Sequence, residues 1–86
     1  DQAADLAICM AIASAAAGKR IDDKTVVFGE VGLGGEIRSV VGTDKRVAEA
    51  KKLGFTRAVA PKQLQKNDFI TTVDNVRTAL IDYLNQ

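Results

Sequence analysis

The run TVVFGEVGLGGEIRSVV, Thr25 to Val41, places four glycines within seven positions: Gly29, Gly32, Gly34 and Gly35. Three readings compete for such a stretch: a phosphate-binding loop, the wall of an active site, or a tight turn between strands. The flanks favour the turn. Thr25–Val31 is rich in β-branched and aromatic residues, and Glu36–Val41 carries Ile37 and Val40, a composition suited to strands. Glycine supplies the positive φ that hairpin turns demand, so the pattern predicts a β-hairpin with Gly32-Leu33-Gly34-Gly35 between its strands. The phosphate readings fail on chemistry. A Walker A loop is GxxxxGK followed by Ser or Thr, its lysine and hydroxyl meeting phosphate and magnesium. Gly29 to Gly34 has that glycine spacing, but Gly35 stands in the lysine's place and Glu36, whose carboxylate repels phosphate, in the hydroxyl's. A dinucleotide loop needs GxGxxG at the start of a helix, whereas Gly32-x-Gly34 leads into a strand.

Around the hairpin the chain alternates helices and strands. Asp5 to Ala17 is rich in Ala, Leu, Ile and Met, good helix formers. It is apolar nearly all round, which predicts a buried or sandwiched helix, and Gly18 stops it. Thr43 reads as an N-cap with Asp44 in the first turn. Val47, Ala50 and Leu53 then fall on one helical face, and Gly54 ends that helix. Thr56–Ala60 is a short strand closed by Pro61, and Phe69–Val73 is another. Asp74 caps a last helix with Val76, Leu80, Tyr83 and Leu84 as its apolar stripe. The order is α-β-β-α-β-β-α, an α/β (α+β) chain whose helices cover a mixed sheet.

Eighty-six residues make one small domain or a piece of a larger one. With no Trp, three Phe and one Tyr, a base-stacking platform for single strands is disfavoured. Cys9 is the only cysteine and there is no histidine, which excludes an internal disulfide and a Cys-rich zinc site. Within the apolar run ICMAIA, Cys9 reads as a buried small hydrophobe. The apolar run Leu6–Ala17 is too short to span a bilayer. The net charge of +1 is unevenly spread: residues 1–43 sum to −2, residues 44–66 to +5 and residues 67–86 to −2. A basic stripe between acidic flanks suits either an anion or nucleic-acid surface or a solvated helix face.

Four segments carry a family resemblance. FGEVGLGGEIRSV resembles the TGE-hydrophobic-x-Leu-x-Gly-x-Val hairpin of the Lon protease domain, and more closely the FGEVGLxGE(I/V)RPV hairpin of RadA-type (Sms) DNA-repair ATPases, whose carboxyl-terminal domain is Lon-like. DQAADLAICMAIAS, KRVAEAKKLGFTRAVAPK and ITTVDNVRTALIDYL are similar to further segments of that family. Gln2 stands where Pro is usual there, and Ser39-Val40 replaces Pro-Val. The resemblance covers essentially residues 1–86 as a single Lon-like domain. It implies a Lon proteolytic-domain-like fold, shared with the second domain of a ribosomal small-subunit protein. It also implies a carboxyl-terminal fragment of a longer protein whose domain begins with strands before Asp1, so that a sheet edge is left open to pair with another chain.

Lon hydrolyses peptides with a Ser–Lys dyad, the lysine taking the serine proton. Aligned without gaps on the hairpin, the serine falls on Ala3 and the lysine on Arg46. Ala3 has no nucleophilic atom, and arginine does not deprotonate in proteins. A one-residue slip, to Ala4 and Lys45, still leaves no nucleophile. The resemblance therefore implies a domain without peptidase activity, in a full-length protein that is a DNA-dependent ATPase assisting branch migration in homologous recombination. It implies no cofactor or metal in this domain, with ATP, magnesium and zinc held by upstream domains. It implies self-association into a ring, a hexamer at full length, no membrane partner, and a cytoplasmic location in a bacterium or an organellar one in a plant or protist. Arg38, Lys45, Arg46, Lys51 and Lys52 are the candidate DNA-phosphate contacts, binding without reading sequence. Gly29, Gly32, Gly34 and Gly35 are structural turn residues. Two alternatives stand beside this: a peptidase with a displaced nucleophile, for which Ser14 is the candidate, and a pure oligomerisation module.

Overall fold

A short 3-10 turn, Gln2–Ala4, runs directly into helix α1, Asp5–Ala17, in the computed structural model, which describes residues 2–84. Asp1, the first residue of the helix-start segment, and the terminal Asn85 and Gln86 lie outside the described residues. Helix α1 ends where the sequence places its stop. Gly18 takes a left-handed φ of 65°, its N–H reaches the Ala15 carbonyl, and the Lys19 N–H reaches that of Ser14. This is the paired-bond glycine ending that satisfies the last free carbonyls of a helix.

The chain continues through β1 (Thr25–Val27), β2 (Glu30–Val31), β3 (Ile37–Arg38), α2 (Thr43–Lys52), β4 (Arg57–Ala60), β5 (Ile70–Thr72) and α3 (Val76–Leu84). Strand β4 lies between β1 and β5, and both pairings are parallel, with Val59 opposite Val27 on one side and Thr71 on the other. Its Ala58-Val59-Ala60 run has no exposure, as a central parallel strand covered on both faces requires. On one face, Leu6 and Met10 of α1 and Ala79 of α3 close over Val59 and Val73. On the other, Val47 of α2 packs with Phe28, Ala58, Ala60 and Ile70. The result is two thin apolar layers either side of a three-stranded sheet.

The hairpin forms, but only from Glu30–Val31 and Ile37–Arg38, and as a separate antiparallel pair. The strand expected over Thr25–Val31 is two strands that serve different sheets. Gly29 is the point of exchange. Its N–H donates to the Ala3 carbonyl at 2.8 Å and its carbonyl accepts from the Leu6 N–H at 2.9 Å, so the start of α1 is sealed onto the strand break. The order thus gains a strand between the first helix and the second. The hairpin's far end is also held: the Val76 N–H donates to the Gly35 carbonyl and the Ile37 N–H to the Asp74 carbonyl, each at 2.9 Å.

Other expectations shift by a residue or a face. Gly42, in the left-handed region and with no side-chain cap, precedes α2, and Thr43 is already helical. The last helix is capped by Asn75, whose Oδ1 accepts from the Thr78 N–H at 2.8 Å, and not by Asp74. Helix α1 is not sandwiched: Ile8 is 55% and Ile12 66% exposed, because α3 and the sheet cover only its Leu6–Met10 side. Cys9 is half-buried for the same reason. Leu53 is exposed, since α2 has ended before it and the chain turns at Gly54.

Candidate functional site

A cleft of about 570 Å³ wraps round the free side of β1, between the two helix layers. Ala3, Ala4 and Ala7, at the start of α1, form one wall; Val26, Val27 and Phe28 form the floor. Lys45, Arg46 and Glu49 of α2, with Leu53 and Phe55 beyond it, form the other wall. Ala3 and Arg46, which lie far apart in sequence, therefore share one cleft. They also share a smaller neighbouring cavity of about 170 Å³, bordered by Glu30 and Ser39. The Gly29–Ala3 bond fixes Ala3 there, and Arg46 is held by its Nε donating to the Val41 carbonyl at 3.2 Å.

Ala3 supplies no nucleophile. Ser39 stands near Arg46, which cannot act as a base. Ser14 lies near the far end of α1, where its Oγ donates to the Lys19 carbonyl. Among the described residues no group of His, Cys, Asp and Glu could hold a metal ion, and no helix is long and apolar enough to cross a membrane.

The five basic candidates do not form one stripe. Arg38 pairs with Glu36 at 2.9 Å. Arg46 turns toward the cleft, and Lys51 sits over the Phe69 ring with Nζ 5.3 Å from its centre. Lys45 and Lys52 are exposed. The structure adds Lys66, beside Asp44 and Thr43 in a separate depression, and exposed Lys62. Their place in the basic 44–66 segment was visible in the sequence, but the approach of Lys66 to the start of α2 was not.

The hairpin glycines divide in role. Gly32 and Gly35 close the turn, the Gly35 N–H donating to the Gly32 carbonyl, and Gly35 alone of the loop needs a positive φ, 85°. Gly34 donates its N–H to the Glu36 carboxylate at 3.0 Å. Gly29 lies outside the turn, at the strand exchange. The Glu36 carboxyl is held below its usual range, chiefly by its own backbone amide, then by the Arg38 guanidinium and the Gly34 N–H. A carboxyl depressed in the folded state adds stability above its unfolded value and loses it as pH falls through the folded one. Acidification should therefore loosen the loop only below the ordinary glutamate range. The Gly34 amide shift, followed by NMR, should titrate with an inflection below that range, and Glu36→Gln should remove the titration. An inflection at or above the ordinary value would contradict the bonded loop.

An α/β domain with a three-stranded parallel sheet and an open cleft beside β1 is the class these features define. Residues 2–64 match the family described as subunit ChlI of Mg-chelatase, and the chain belongs to that family. It is also a homologue of part of the proteins named DNA repair protein RadA. It is 42% identical over 83 residues to that of Mycolicibacterium smegmatis, covering 93% of this chain and 18% of the relative. The Aquifex aeolicus protein is 49% identical over 65 residues, 76% of this chain and 15% of the relative. The Streptococcus pyogenes protein is 42% identical over 89 residues, 93% of this chain and 20% of the relative. The chain thus spans a fifth or less of the length of these relatives.

Proposed function

We propose that this chain is a non-catalytic, Lon-like domain from the carboxyl-terminal part of a RadA-type DNA-repair protein, serving subunit assembly and sequence-independent contact with DNA. The observation that supports the Lon-like reading most directly is the meeting of Ala3 and Arg46 in one cleft. These are the positions that align with the Lon serine and lysine, so a site of the expected shape would remain with its reactive groups replaced. ATP hydrolysis and zinc binding would belong to other parts of the whole protein, whose place of work would be the cytoplasm. Ring assembly rests on the family likeness together with the exposed apolar residues of α1.

For DNA, the exposed Lys45, at the rim of the cleft, and Lys52 are the leading contacts, and Lys51 is a lesser one because its charge is engaged with Phe69. Binding of labelled duplex and single-stranded DNA to the chain over a salt series tests this. Each phosphate neutralised contributes about 0.9 to the slope of log affinity against log salt on duplex. Reversing Lys45 and Lys52 to Glu should lower that slope by about 2 and weaken all sequences alike. A slope untouched by both reversals would move the DNA face elsewhere. No binding at low salt would leave assembly as the domain's role.

A further inference from the structure

We infer that the loop between β4 and β5 is a wedge for the minor groove of duplex DNA, with Leu64 entering between base pairs and Lys62 and Lys66 holding phosphates on either side. This rests on the DNA contact proposed above and gives it a second place and a geometry. Strands β4 and β5 are parallel neighbours, yet only residues 61–69 join them, with no helix among them. A crossover of a dozen or more residues, commonly helical, is the usual link. The loop is pinned at both shoulders. Pro61 is buried, and its carbonyl accepts from Nε2 of Gln63. The Asn67 side-chain oxygen accepts from the Phe69 N–H at 2.9 Å, and the Asn67 carbonyl accepts from the Ile70 N–H at 3.0 Å. Between these shoulders the chain bends at Leu64 and Gln65. Leu64 stands fully exposed at the bend, and Lys62, Gln65 and Lys66 are exposed around it. The depressions beside the loop are lined by residues 39–72 alone.

The composition of the tip selects the partner. A loop already fixed at its shoulders has little ordering left to lose when its tip is covered. Proteins that bend a duplex insert an apolar side chain of this kind between base steps from the minor groove, with cationic and amide side chains beside it. Lys62 and Lys66 are at most about 14 Å apart at full extension and less across the bend, a span that straddles a groove about 6 Å wide. Gln65 brings an amide donor for the adenine and thymine acceptors on the groove floor. Anchors for a protein partner are enriched in Trp, Tyr and Arg, and residues 62–66 include none. A lone leucine also offers no face on which single-stranded bases stack. One charge opposes the wedge: Asp44 borders the same depression as Lys66, so its carboxylate repels the phosphate that Lys66 holds.

Binding of the chain to a duplex labelled at both ends, read by fluorescence anisotropy and by energy transfer between the ends, tests the proposal. The expected result is a bend of about 20–90°. A duplex with one mismatched pair, where part of the unstacking is already done, should be preferred about tenfold over a fully paired one. Leu64→Ala should abolish the bend and the preference while leaving the salt slope and the far-ultraviolet circular dichroism unchanged. Lys62→Glu with Lys66→Glu should lower the salt slope by about 2, and Asp44→Asn should tighten binding about threefold. DNA that binds and loses slope on reversal of Lys45 and Lys52, but stays straight and is indifferent to Leu64→Ala, would overturn the wedge and leave the DNA contact standing. Absence of binding at low salt would overturn both. Leu64-dependent binding to phosphatidylserine vesicles, with DNA left unbent, would overturn the wedge by assigning the loop to an anionic membrane surface.

Discussion

Gly29→Ala should cost about 2–4 kcal/mol of folding stability, far more than the one methyl group suggests. A Cβ at Gly29 would stand 3.0 Å from Cγ2 of Ile37, 3.4 Å from Cδ of Pro61 and 3.5 Å from Cδ2 of Leu6. Three elements close on that point: the hairpin, the end of β4 and the start of α1. Retreat by one tightens another, and overpacking of this kind costs about 1–3 kcal/mol. The backbone angle of 156° adds strain for any residue with a side chain. Gly54→Ala is the control. It has a φ of 93°, but nothing lies within 4 Å of its added Cβ, so only backbone strain of about 1–2 kcal/mol applies. Urea unfolding should give a midpoint loss for Gly29→Ala about twice that for Gly54→Ala, with unchanged slopes. Equal losses would mean that the corner is not close-packed.

The same corner marks where the sequence stops being legible. Helix α1 could be read to the residue, because Ala-rich composition and Gly18 are local signals and the structure ends the helix by local bonds. Strands β4 and β5 could be placed, though not their parallel order with β1, which depends on contacts distant in sequence. Thr25–Val31 looks like one strand, since Val27 and Val31 have the same propensity. Which partner each half takes is decided by α1 docking on Gly29. A glycine inside a strand pattern was the available signal, since it marks close backbone approach. The helix starts slipped by one residue for a related reason. Asp74 and Asn75 are both good caps, and only the pairing of Asp74 with Ile37 across the hairpin commits Asn75 to the helix. The basic candidates show the limit most clearly. Helical spacing predicts their angles about α2, but Lys51 finds Phe69 and Arg46 finds the Val41 carbonyl through loops whose course no periodicity records.

Leu6→Ala and Ile12→Ala should separate the two sides of α1 by several kcal/mol, although the sequence treats the residues alike. Leu6 has no exposed surface and packs with Met10 and Val59, on the cluster that α3 closes. Its truncation removes buried methyl groups and leaves a void between three elements, a loss of about 2–5 kcal/mol. A chain of this length has a total stability of about 4–13 kcal/mol, so the Leu6 variant should melt about 10 °C or more lower, at the usual 4–8 °C per kcal/mol for a small domain. Ile12 is 66% exposed, and its truncation in a monomer should stay within about 0.5 kcal/mol. Calorimetry on dilute samples would measure both. The comparison also tests the domain's surroundings. In the monomer, the outer face formed by Ile8, Ala11, Ile12 and Ala15 does little for the fold, so its apolar character needs another cause. If Ile12→Ala proves costly only as concentration rises, that face is covered by a second subunit. If it is costly at every dilution, α1 is packed within the chain more tightly than its exposed face allows.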